Sequence, residues 1–241
     1  MKRGASEARA AARIEALSRR WDLSEDAAGR LLDLLTVLRD DPRAPTSVRD
    51  PAKAVDAHVA DSLCALPWLE SRGGHRAVDI GSGAGFPGIP LALARPNLEV
   101  DLVEAARRKC EFLSEVVRRL EATGVRVVAQ RAEEWAAGEG RARYDTVLAR
   151  AVGPLAVLVE YAAPLLETGG TLFAWKGARD PAEERRGEAA AEELGMRSLG
   201  VERVEPYPAS RAHNLHLYEK VRVTPEGFPR RPGMARKRPL G

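Results

Sequence analysis

The fold is decided by residues 77–88, which read Ala77-Val78-Asp79-Ile80-Gly81-Ser82-Gly83-Ala84-Gly85-Phe86-Pro87-Gly88. A short apolar run is followed by three alternating glycines and then by the start of a predicted helix. This order is typical of a strand, a glycine turn and a helix, in which no side chain separates the backbone from a bound nucleotide-like ligand. The stretch therefore predicts a cofactor loop.

An acidic residue further along the chain supports this interpretation. Glu104 ends the next apolar run and lies about 20 residues beyond the last glycines, the separation at which a carboxylate meets a ribose in doubly wound folds. In a purely structural alternative, Glu104 caps the helix that is predicted to start near Ala106. The loop and the carboxylate together favour a nucleotide-like cofactor.

Two cofactor classes use glycine loops of this kind, nicotinamide dinucleotides and S-adenosylmethionine. If Gly81 is the first glycine after the strand, Phe86 stands where a dinucleotide loop needs a third glycine for close helix packing. Asp79 places a negative charge near the end of the strand, and this charge suits an ammonium or sulfonium group better than phosphates. The loop therefore favours S-adenosylmethionine, and a nicotinamide oxidoreductase is the least favoured alternative.

The composition predicts one full core with a small appendage, because the chain has 241 residues of which 44% are hydrophobic. No apolar run approaches the ~20 residues that a membrane helix needs, and the charged N-terminus lacks the apolar centre of a secretory signal. We therefore expect a cytoplasmic protein with no membrane partner. Two cysteines, Cys64 and Cys110, are too few for a disulfide framework or a four-ligand metal site, so we expect buried thiols and no metal.

Residues 224–241 are predicted to form a basic, flexible tail. Prolines and glycines separate its cationic side chains, which are Arg230, Arg231, Arg236, Lys237 and Arg238. A segment of this composition is not expected to bury a core and should stay mobile. Two interpretations stay open, an arm that contacts RNA and a solubilising end.

The remaining chain divides into two parts. Residues 1–70 carry apolar positions at helical spacing and predict a helical N-terminal extension, in which Asp50 is a candidate N-cap and Pro51 the first helical residue. In residues 71–223, strand-like and helix-like segments alternate, which predicts an α/β domain with a parallel sheet wrapped by helices. The predicted strands are 76–80, 99–103, 125–129, 144–149 and 170–175, the predicted helices are 87–95, 106–122, 154–166 and 181–194, and a hairpin at 199–204 and 214–223 is expected to close the sheet edge.

Ligands bind beyond the carboxyl ends of the strands in an open sheet of this type. The side chains that follow the predicted strands therefore share one rim, and they are Asp79, Glu104, Ala132, Glu133, Arg150 and Lys176. We expect this rim to be the active site.

Several short motifs together resemble those of one protein family. They are Thr46-Ser47-Val48-Arg49-Asp50-Pro51, His58 with Asp61-Ser62, the glycine loop continued by Ile89-Pro90, Arg131-Ala132-Glu133-Glu134, Ala149-Arg150-Ala151 and Trp175-Lys176-Gly177. From about residue 46 to residue 220, the chain resembles the bacterial 16S ribosomal RNA guanine-N7 methyltransferases, the RsmG or glucose-inhibited division protein B family. The resemblance implies a Rossmann-like class I S-adenosylmethionine-dependent methyltransferase with a mainly parallel seven-stranded sheet. It also implies that the substrate is a guanine in the decoding-region (530) loop of 16S rRNA, either as RNA or within the small ribosomal subunit.

The residue patterns and the resemblance together define the candidate site. The cofactor is expected at Asp79, Gly81, Gly83, Gly85, Phe86, Glu104, Ala132, Glu133 and Arg150. The RNA is expected at Arg49, His58 and Lys176. Because guanine N7 carries a lone pair and no proton, the transfer needs alignment of the reactants and no general base. The catalytic candidates are therefore aligning groups, Arg150 and Lys176.

Structural alternatives stay open for several of these residues. Arg150 is either a ligand contact or a rim arginine paired with an acid, and Lys176 either contacts RNA or forms a salt bridge. His58 is either a substrate contact or a packed, hydrogen-bonded histidine. For the whole chain, the alternatives are a class I methyltransferase of another acceptor and a non-catalytic RNA-binding scaffold. We expect a monomer.

Overall fold

The computed structural model describes residues 2–208 and 210–241, and its centre is a sheet of seven strands. The strands are β1 (Arg76–Ile80), β2 (Glu99–Val103), β3 (Val125–Val128), β4 (Tyr144–Arg150), β5 (Leu166–Lys176), β6 (Met196–Arg203) and β7 (Asn214–Lys220). Their order across the sheet is β3-β2-β1-β4-β5-β7-β6. The predicted α/β class with a mainly parallel seven-stranded sheet is confirmed.

Strands β1 to β5 are all parallel, so their carboxyl ends meet at one edge of the sheet. Strand β1 lies in the middle and pairs with β2 on one side and with β4 on the other. The last four residues of β1 and of β2 are buried, as expected for strands covered by helices on both faces. The predicted bounds of these two strands, 76–80 and 99–103, agree with the structure.

The far edge of the sheet is an antiparallel hairpin, as predicted. Strand β7 inserts between β5 and β6 and pairs antiparallel with both. Strand β7 begins at the carboxyl edge of the parallel strands, because its first residue pairs with the end of β5, with Asn214 beside Lys176. The hairpin therefore delivers residues 213 and 214 to the predicted rim.

Helices cover both faces of the sheet and form one apolar core on each. The helices that connect the strands in the sequence are α6 (Gly88–Ala94), α7 (Arg107–Arg119), α8 (Ala132–Ala137), α9 (Leu155–Ala162) and α10 (Pro181–Glu193). The sequence did not predict α8, because six residues are too few to show a helical period. Its position matters for the site, since it begins at the end of the turn that follows β3.

The N-terminal residues are helical, as predicted. They form α1 (Lys2–Trp21), α2 (Glu25–Asp40), α3 (Pro51–Ala54), a π-helical segment (Val55–Ala60), α4 (Asp61–Leu63) and α5 (Leu66–Ser71). The Asp50 side chain accepts a hydrogen bond from the Lys53 N–H, so the predicted N-cap is confirmed. Apolar residues of α1 and α2 belong to the same core as residues of β2 and α7. The extension is therefore packed on the sheet domain.

The C-terminal residues differ from the prediction of a mobile tail. A short helix, α11 (Met234–Lys237), lies near the rim, and its Ala235 is buried. Arg230 forms an ion pair with the buried Glu160 of α9. Composition alone missed this packing because the partners of the segment, Glu133 and Glu160, lie far away in the sequence.

Both cysteines are buried and free, as expected, and burial raises the pKa of Cys64 to about 12. In residues 2–208 and 210–241, no helix is both long enough and apolar enough to cross a membrane.

Candidate active site

The glycine loop follows β1 at the carboxyl edge of the sheet and leads into α6. Gly81 and Gly83 have φ angles of 67° and 58°, a conformation that side-chain-bearing residues rarely adopt. The Gly81 N–H donates to the Val103 carbonyl at 2.8 Å, which ties the loop to the end of β2. The left-handed turn thus brings loop backbone and the end of β2 to the same place.

Two other glycines of the loop are required by packing. Gly85 has a φ of 93°, and a Cβ at this position would overlap the Ile89 side chain. A Cβ at Gly88 would lie 2.6 Å from Leu102 Cδ2 and 2.9 Å from Asp79 Oδ2. Gly85 was predicted to bind the cofactor, but its side-chain position faces α6 and it does not line the cavity described below.

Asp79 lies beneath the loop and is almost completely buried. Its Oδ2 accepts a hydrogen bond from the Gly88 N–H at 2.9 Å, whereas its Oδ1 has no hydrogen-bond partner among the described residues. Burial raises the pKa of Asp79 to about 7, against the opposing effects of the Gly88 hydrogen bond and the Arg150 charge. Oδ1 is thus a buried acceptor that suits a cationic ligand group.

A cavity of about 270 Å³ opens at the rim beside the loop, and we call it the first cavity. Four of the predicted cofactor residues line it: Gly81, Glu104, Ala132 and Glu133. Gly83, which was also predicted to bind the cofactor, supports the cavity wall indirectly, because its N–H donates to Glu104 Oε2 at 3.2 Å. The predicted residues among its walls therefore come from the turns after β1, β2 and β3, and further lining comes from the turn after β4, from α9 and from the C-terminal residues.

Glu104 is the principal charged group on the β2 side of the first cavity. Its carboxylate also accepts from the Ala106 N–H at 2.9 Å, and Lys109 Nζ lies 3.4 Å from Oε2. Ala106 precedes the first residue of α7, so this bond orients Glu104 beside the start of the helix without capping it, and the same carboxylate lines the cavity. These bonds fix its orientation, which is what recognition of ribose hydroxyls requires.

Glu133 lies on the opposite side, in the first turn of α8, and is buried. Its Oε1 accepts a hydrogen bond from the backbone N–H of Gly233 at 2.8 Å. Burial, followed by the negative charge of Glu133, raises the pKa of the neighbouring Tyr161, while the charge of Arg236 opposes the shift. Gly233, Tyr161 and Arg236 also line the cavity, and the sequence did not predict any of them.

The residues present fit S-adenosylmethionine. A carboxylate fixed by backbone donors suits the ribose, the glycine edge admits a close approach of the ligand, and the free Asp79 Oδ1 is an acceptor for an ammonium group. In the part of the chain that the structure describes, no cluster of three or more His, Cys, Asp or Glu residues could hold a metal ion.

A second cavity of about 320 Å³ lies on the other side of Ala151, which lines both. Its polar lining comes from α4, β4, β5 and the start of β7, through Asp61, Arg150, Lys176, His213 and Asn214. Asp61 is the centre of this group. Its Oδ2 accepts from Arg150 Nη1 at 2.7 Å, and its Oδ1 lies 3.1 Å from His213 Nδ1.

Arg150 was predicted to bind the cofactor, but its side chain lines the second cavity and not the first. Its guanidinium lies over the Phe86 ring at 5.4 Å, and His58 stacks on the same ring at 4.6 Å. The Phe86 ring is buried within this stack, and Phe86, which was predicted to meet the cofactor through its backbone, does not line the first cavity. Arg150 is therefore paired with an acid, as the structural alternative predicted, and it also lines the second cavity.

Of the three predicted RNA contacts, His58 and Arg49 are bonded to other residues of the protein. Lys176 both lines the second cavity and forms a salt bridge. His58 Nε2 lies 2.9 Å from Thr46 Oγ1, and burial followed by the Arg150 charge lowers its pKa to about 4, so it is a packed, neutral histidine. Arg49 donates to loop carbonyls, those of Leu38, Asp41, Pro42 and Ala44. Lys176 lines the second cavity but also pairs with Glu183 at 2.6 Å.

The structure brings in site residues that the sequence analysis missed. In the second cavity they are Asp61, His213 and Asn214. Asp61 occurs in one of the motifs that carry the family resemblance, and this was the sequence signal that could have found it. Its pairing with Arg150 forms only because the end of the π-helical segment meets the end of β4 at the sheet edge. His213 and Asn214 carry no local signal, because only the hairpin register brings them to the rim.

Comparison with known proteins identifies the family. The model of the GidB family, described as rRNA small subunit methyltransferase G, matches residues 34–210. The chain belongs to this family. A relative named ribosomal RNA small subunit methyltransferase G, from Roseiflexus castenholzii, is 43% identical over 197 residues, which cover 81% of this chain and 83% of the relative. A relative of the same name from Deinococcus deserti is 42% identical over 196 residues, covering 81% of this chain and 80% of the relative.

Solved structures agree with the fold. The mitomycin 7-O-methyltransferase MmcR superposes with a TM-score of 0.56 at 16% identity, over 78% of this chain and 60% of that chain. At this identity the likeness concerns the fold alone. Membership of the GidB family confirms the predicted resemblance and the predicted enzyme class, an S-adenosylmethionine-dependent rRNA methyltransferase.

Proposed function

We propose that the protein transfers the methyl group of S-adenosylmethionine to N7 of a guanine in the decoding-region (530) loop of 16S rRNA. The observation that carries this proposal is the pair of cavities that share Ala151 at the carboxyl edge of the sheet. One cavity suits an adenosyl cofactor, and its neighbour has polar side chains suited to a base. In-line transfer requires such adjacent sites.

Bound S-adenosylmethionine supplies an electrophilic methyl group next to a sulfonium. The chain's own residues need only hold the two reactants in line, which can contribute about 7 to 11 kcal/mol in favourable systems. Neither cysteine lines a rim cavity, and both thiol pKa values are raised by burial, so a cysteine nucleophile does not fit. This agrees with a lone-pair acceptor such as guanine N7.

The second cavity offers hydrogen-bond donors to a guanine. Arg150 Nη1 is held by Asp61, and the remaining guanidinium donors suit guanine O6, which accepts hydrogen bonds in the same way as N7. Lys176 Nζ is held between Glu183 and the Gly153 carbonyl. We propose that Arg150 and Lys176 align the base, with Asp61 and His213 positioning Arg150.

In this proposal the enzyme is a monomer that acts in the cytoplasm on 16S rRNA or on the small ribosomal subunit. The three-part division into residues 1–70, 71–223 and 224–241 remains part of the proposal, although the first and third parts pack on the second.

The test is incubation of the purified protein with methyl-labelled S-adenosylmethionine and small subunits that lack the modification, followed by nucleoside analysis and mapping. We expect N7-methylguanosine at one guanine of the 530 loop. Naked 16S rRNA serves as the second substrate and decides which form is used. Label on another nucleoside, or no label on either substrate while the cofactor binds, would contradict the proposed acceptor.

A further inference from the structure

The last 18 residues of the chain return to the active-site rim after β7. We call residues 224–241 the C-terminal strap. It lies outside the family match, which ends at residue 210. Arg141 Nη1 donates to the Phe228 carbonyl at 2.9 Å, and Arg230 Nε donates to Glu160 Oε1 at 2.6 Å. Because Glu160 is buried, this ion pair fixes the strap on α9.

Beyond these anchors, the strap forms part of the wall of the first cavity. Gly233 and Arg236 both line it, on the side where α8 and α9 meet. The Gly233 N–H is bonded to Glu133, and Arg236 Nη2 donates to the Val152 carbonyl at 2.8 Å. Ala235, between them, is buried. The strap is therefore held by hydrogen bonds at two points along the cavity, with a buried residue between them.

The position of the strap indicates which end of the cofactor it faces. Glu104, at the end of β2, is the carboxylate placed for the ribose. We place the adenine toward the next turn, residues 130–133 after β3, because these residues line the same cavity as Glu104. Glu133 belongs to this turn and is the residue to which the strap is bonded. Gly233 of the strap thus lies at the adenine end, and Arg236 continues from it along the cavity wall to Val152.

We propose that Arg236 is a cofactor-binding residue whose guanidinium packs against the adenine of S-adenosylmethionine, while Gly233 orients Glu133 beside it. This inference rests on the proposed function, since it assumes that the first cavity holds the cofactor. Guanidinium groups are planar and stack on aromatic rings. The bond from Arg236 to the Val152 carbonyl holds one nitrogen of the guanidinium at the cavity wall.

The experiment measures dissociation constants by calorimetry for Arg236→Ala, Arg236→Lys and the matched control Lys237→Ala. Lys237 is the next residue of α11, is exposed and lines neither cavity. The two ligands are S-adenosylmethionine and 5′-methylthioadenosine, which keeps the adenine and ribose but lacks the amino acid end. Thermal unfolding without ligand checks that the variants are folded.

We expect Arg236→Ala to weaken both ligands by the same factor, about five- to tenfold. Arg236→Lys should weaken both by nearly as much, because it keeps the charge but loses the plane, and Lys237→Ala should bind as the wild type does. Unchanged binding by Arg236→Ala overturns the inference, and so does weaker binding of S-adenosylmethionine alone. If the wild-type protein binds neither ligand, the proposed function fails instead, so the two failures are distinguishable.

Discussion

The first cavity is lined mainly by the turns that follow neighbouring strands, with Gly233 and Arg236 added by the C-terminal strap, whereas the polar lining of the second cavity comes from separate parts of the chain. Gly81, Glu104 and Glu133 of the first cavity follow β1, β2 and β3 in order. In the second cavity, the Asp61 carboxylate contacts Arg150 and His213, residues 89 and 152 positions away. Most of the first cavity is therefore encoded by local sequence, whereas the polar lining of the second cavity depends on tertiary contacts throughout.

This difference has energetic consequences for each cavity. The first cavity depends on backbone conformation and on one buried carboxyl below the loop, so substitutions there should change cofactor affinity or stability. The second depends on a network in which one carboxylate holds two cationic or polar groups, and removing one member leaves the others without compensation. We therefore expect substitutions there to change methyl transfer more than cofactor binding.

The largest expected effect concerns Asp79 and the pH dependence of stability. Its folded pKa of about 7 is above the ordinary value of 3.8, so its contribution to stability is complete at low pH and is lost as the pH rises through 7. Asp79→Asn has no proton to lose. Relative to this variant, the wild type should lose roughly 3 kcal/mol of unfolding free energy between about pH 4 and pH 8. Urea unfolding across this range gives the difference.

Asp50→Asn is the control for this measurement, because hydrogen bonds from Ser6 and the Lys53 backbone lower the pKa of Asp50. Its contribution is present at neutral pH and is lost as the pH falls, so the slope should have the opposite sign. A difference between Asp79→Asn and the wild type that does not vary with pH would show that Asp79 is ionised beneath the loop.

A second effect should separate the cavities through Asp61. Asp61→Asn removes the negative charge that holds Arg150 and His213, so we expect methyl transfer to slow about 50-fold, or roughly 2.3 kcal/mol. The dissociation constant for S-adenosylmethionine should stay within about twofold, because Asp61 does not line the first cavity. Single-turnover kinetics at saturating cofactor and calorimetry measure the two quantities.

Asp56→Asn is the matched control, since Asp56 lies in the adjoining π-helical segment, pairs with Arg13 and lines neither cavity. It should transfer methyl groups at the wild-type rate. Equal losses of cofactor affinity and transfer rate in Asp61→Asn would mean that the two cavities do not act separately.

A smaller effect compares two loop glycines with similar backbone conformations. A Cβ at Gly81 would lie 2.9 Å from Val152 Cγ2, in addition to the strain of its positive φ, whereas a Cβ at Gly83 would have Gly81 O as its nearest neighbour, at 3.8 Å. We expect Gly81→Ala to weaken S-adenosylmethionine binding about tenfold and Gly83→Ala to weaken it less. Calorimetry on both variants tests the order, and a greater loss at Gly83 would contradict it.

The smallest effect concerns Arg49, which lies outside both cavities. Arg49→Gln removes donors from the carbonyls of the loop after α2, so we expect a loss of about 1 kcal/mol in unfolding free energy. Methyl transfer by the folded variant should be unchanged. Loss of RNA affinity without loss of stability would restore the RNA contact that the sequence predicted for Arg49.

The sequence predicted most of the fold, and it placed several residues at the first cavity, for identifiable reasons. Strands β1 and β2 have strong apolar runs bounded by glycine and acidic residues, so their ends were correct, and Gly81 and Glu104, which follow those ends, line the first cavity. Arg150 was predicted on the rim, where the structure has it, but it lines the second cavity and not the first, because rim position does not specify the direction of a side chain.

Other features depend on contacts that no local pattern encodes. His213 reaches the rim only because β7 inserts between β5 and β6. The C-terminal strap has the composition of a mobile segment, yet it packs because Glu133 and Glu160 meet it on α8 and α9. In both cases, contacts with residues that are distant in the sequence determine the position of the segment.

The most direct test of the two-cavity account is a crystal structure of the protein with S-adenosylhomocysteine and guanosine 5′-monophosphate. The account predicts the adenosyl group in the first cavity, with its ribose at Glu104, and the guanine in the second cavity beside Arg150, with N7 facing the sulfur across Ala151. A guanine bound in the first cavity, or an adenosyl group bound against Arg150 and Asp61, would contradict it.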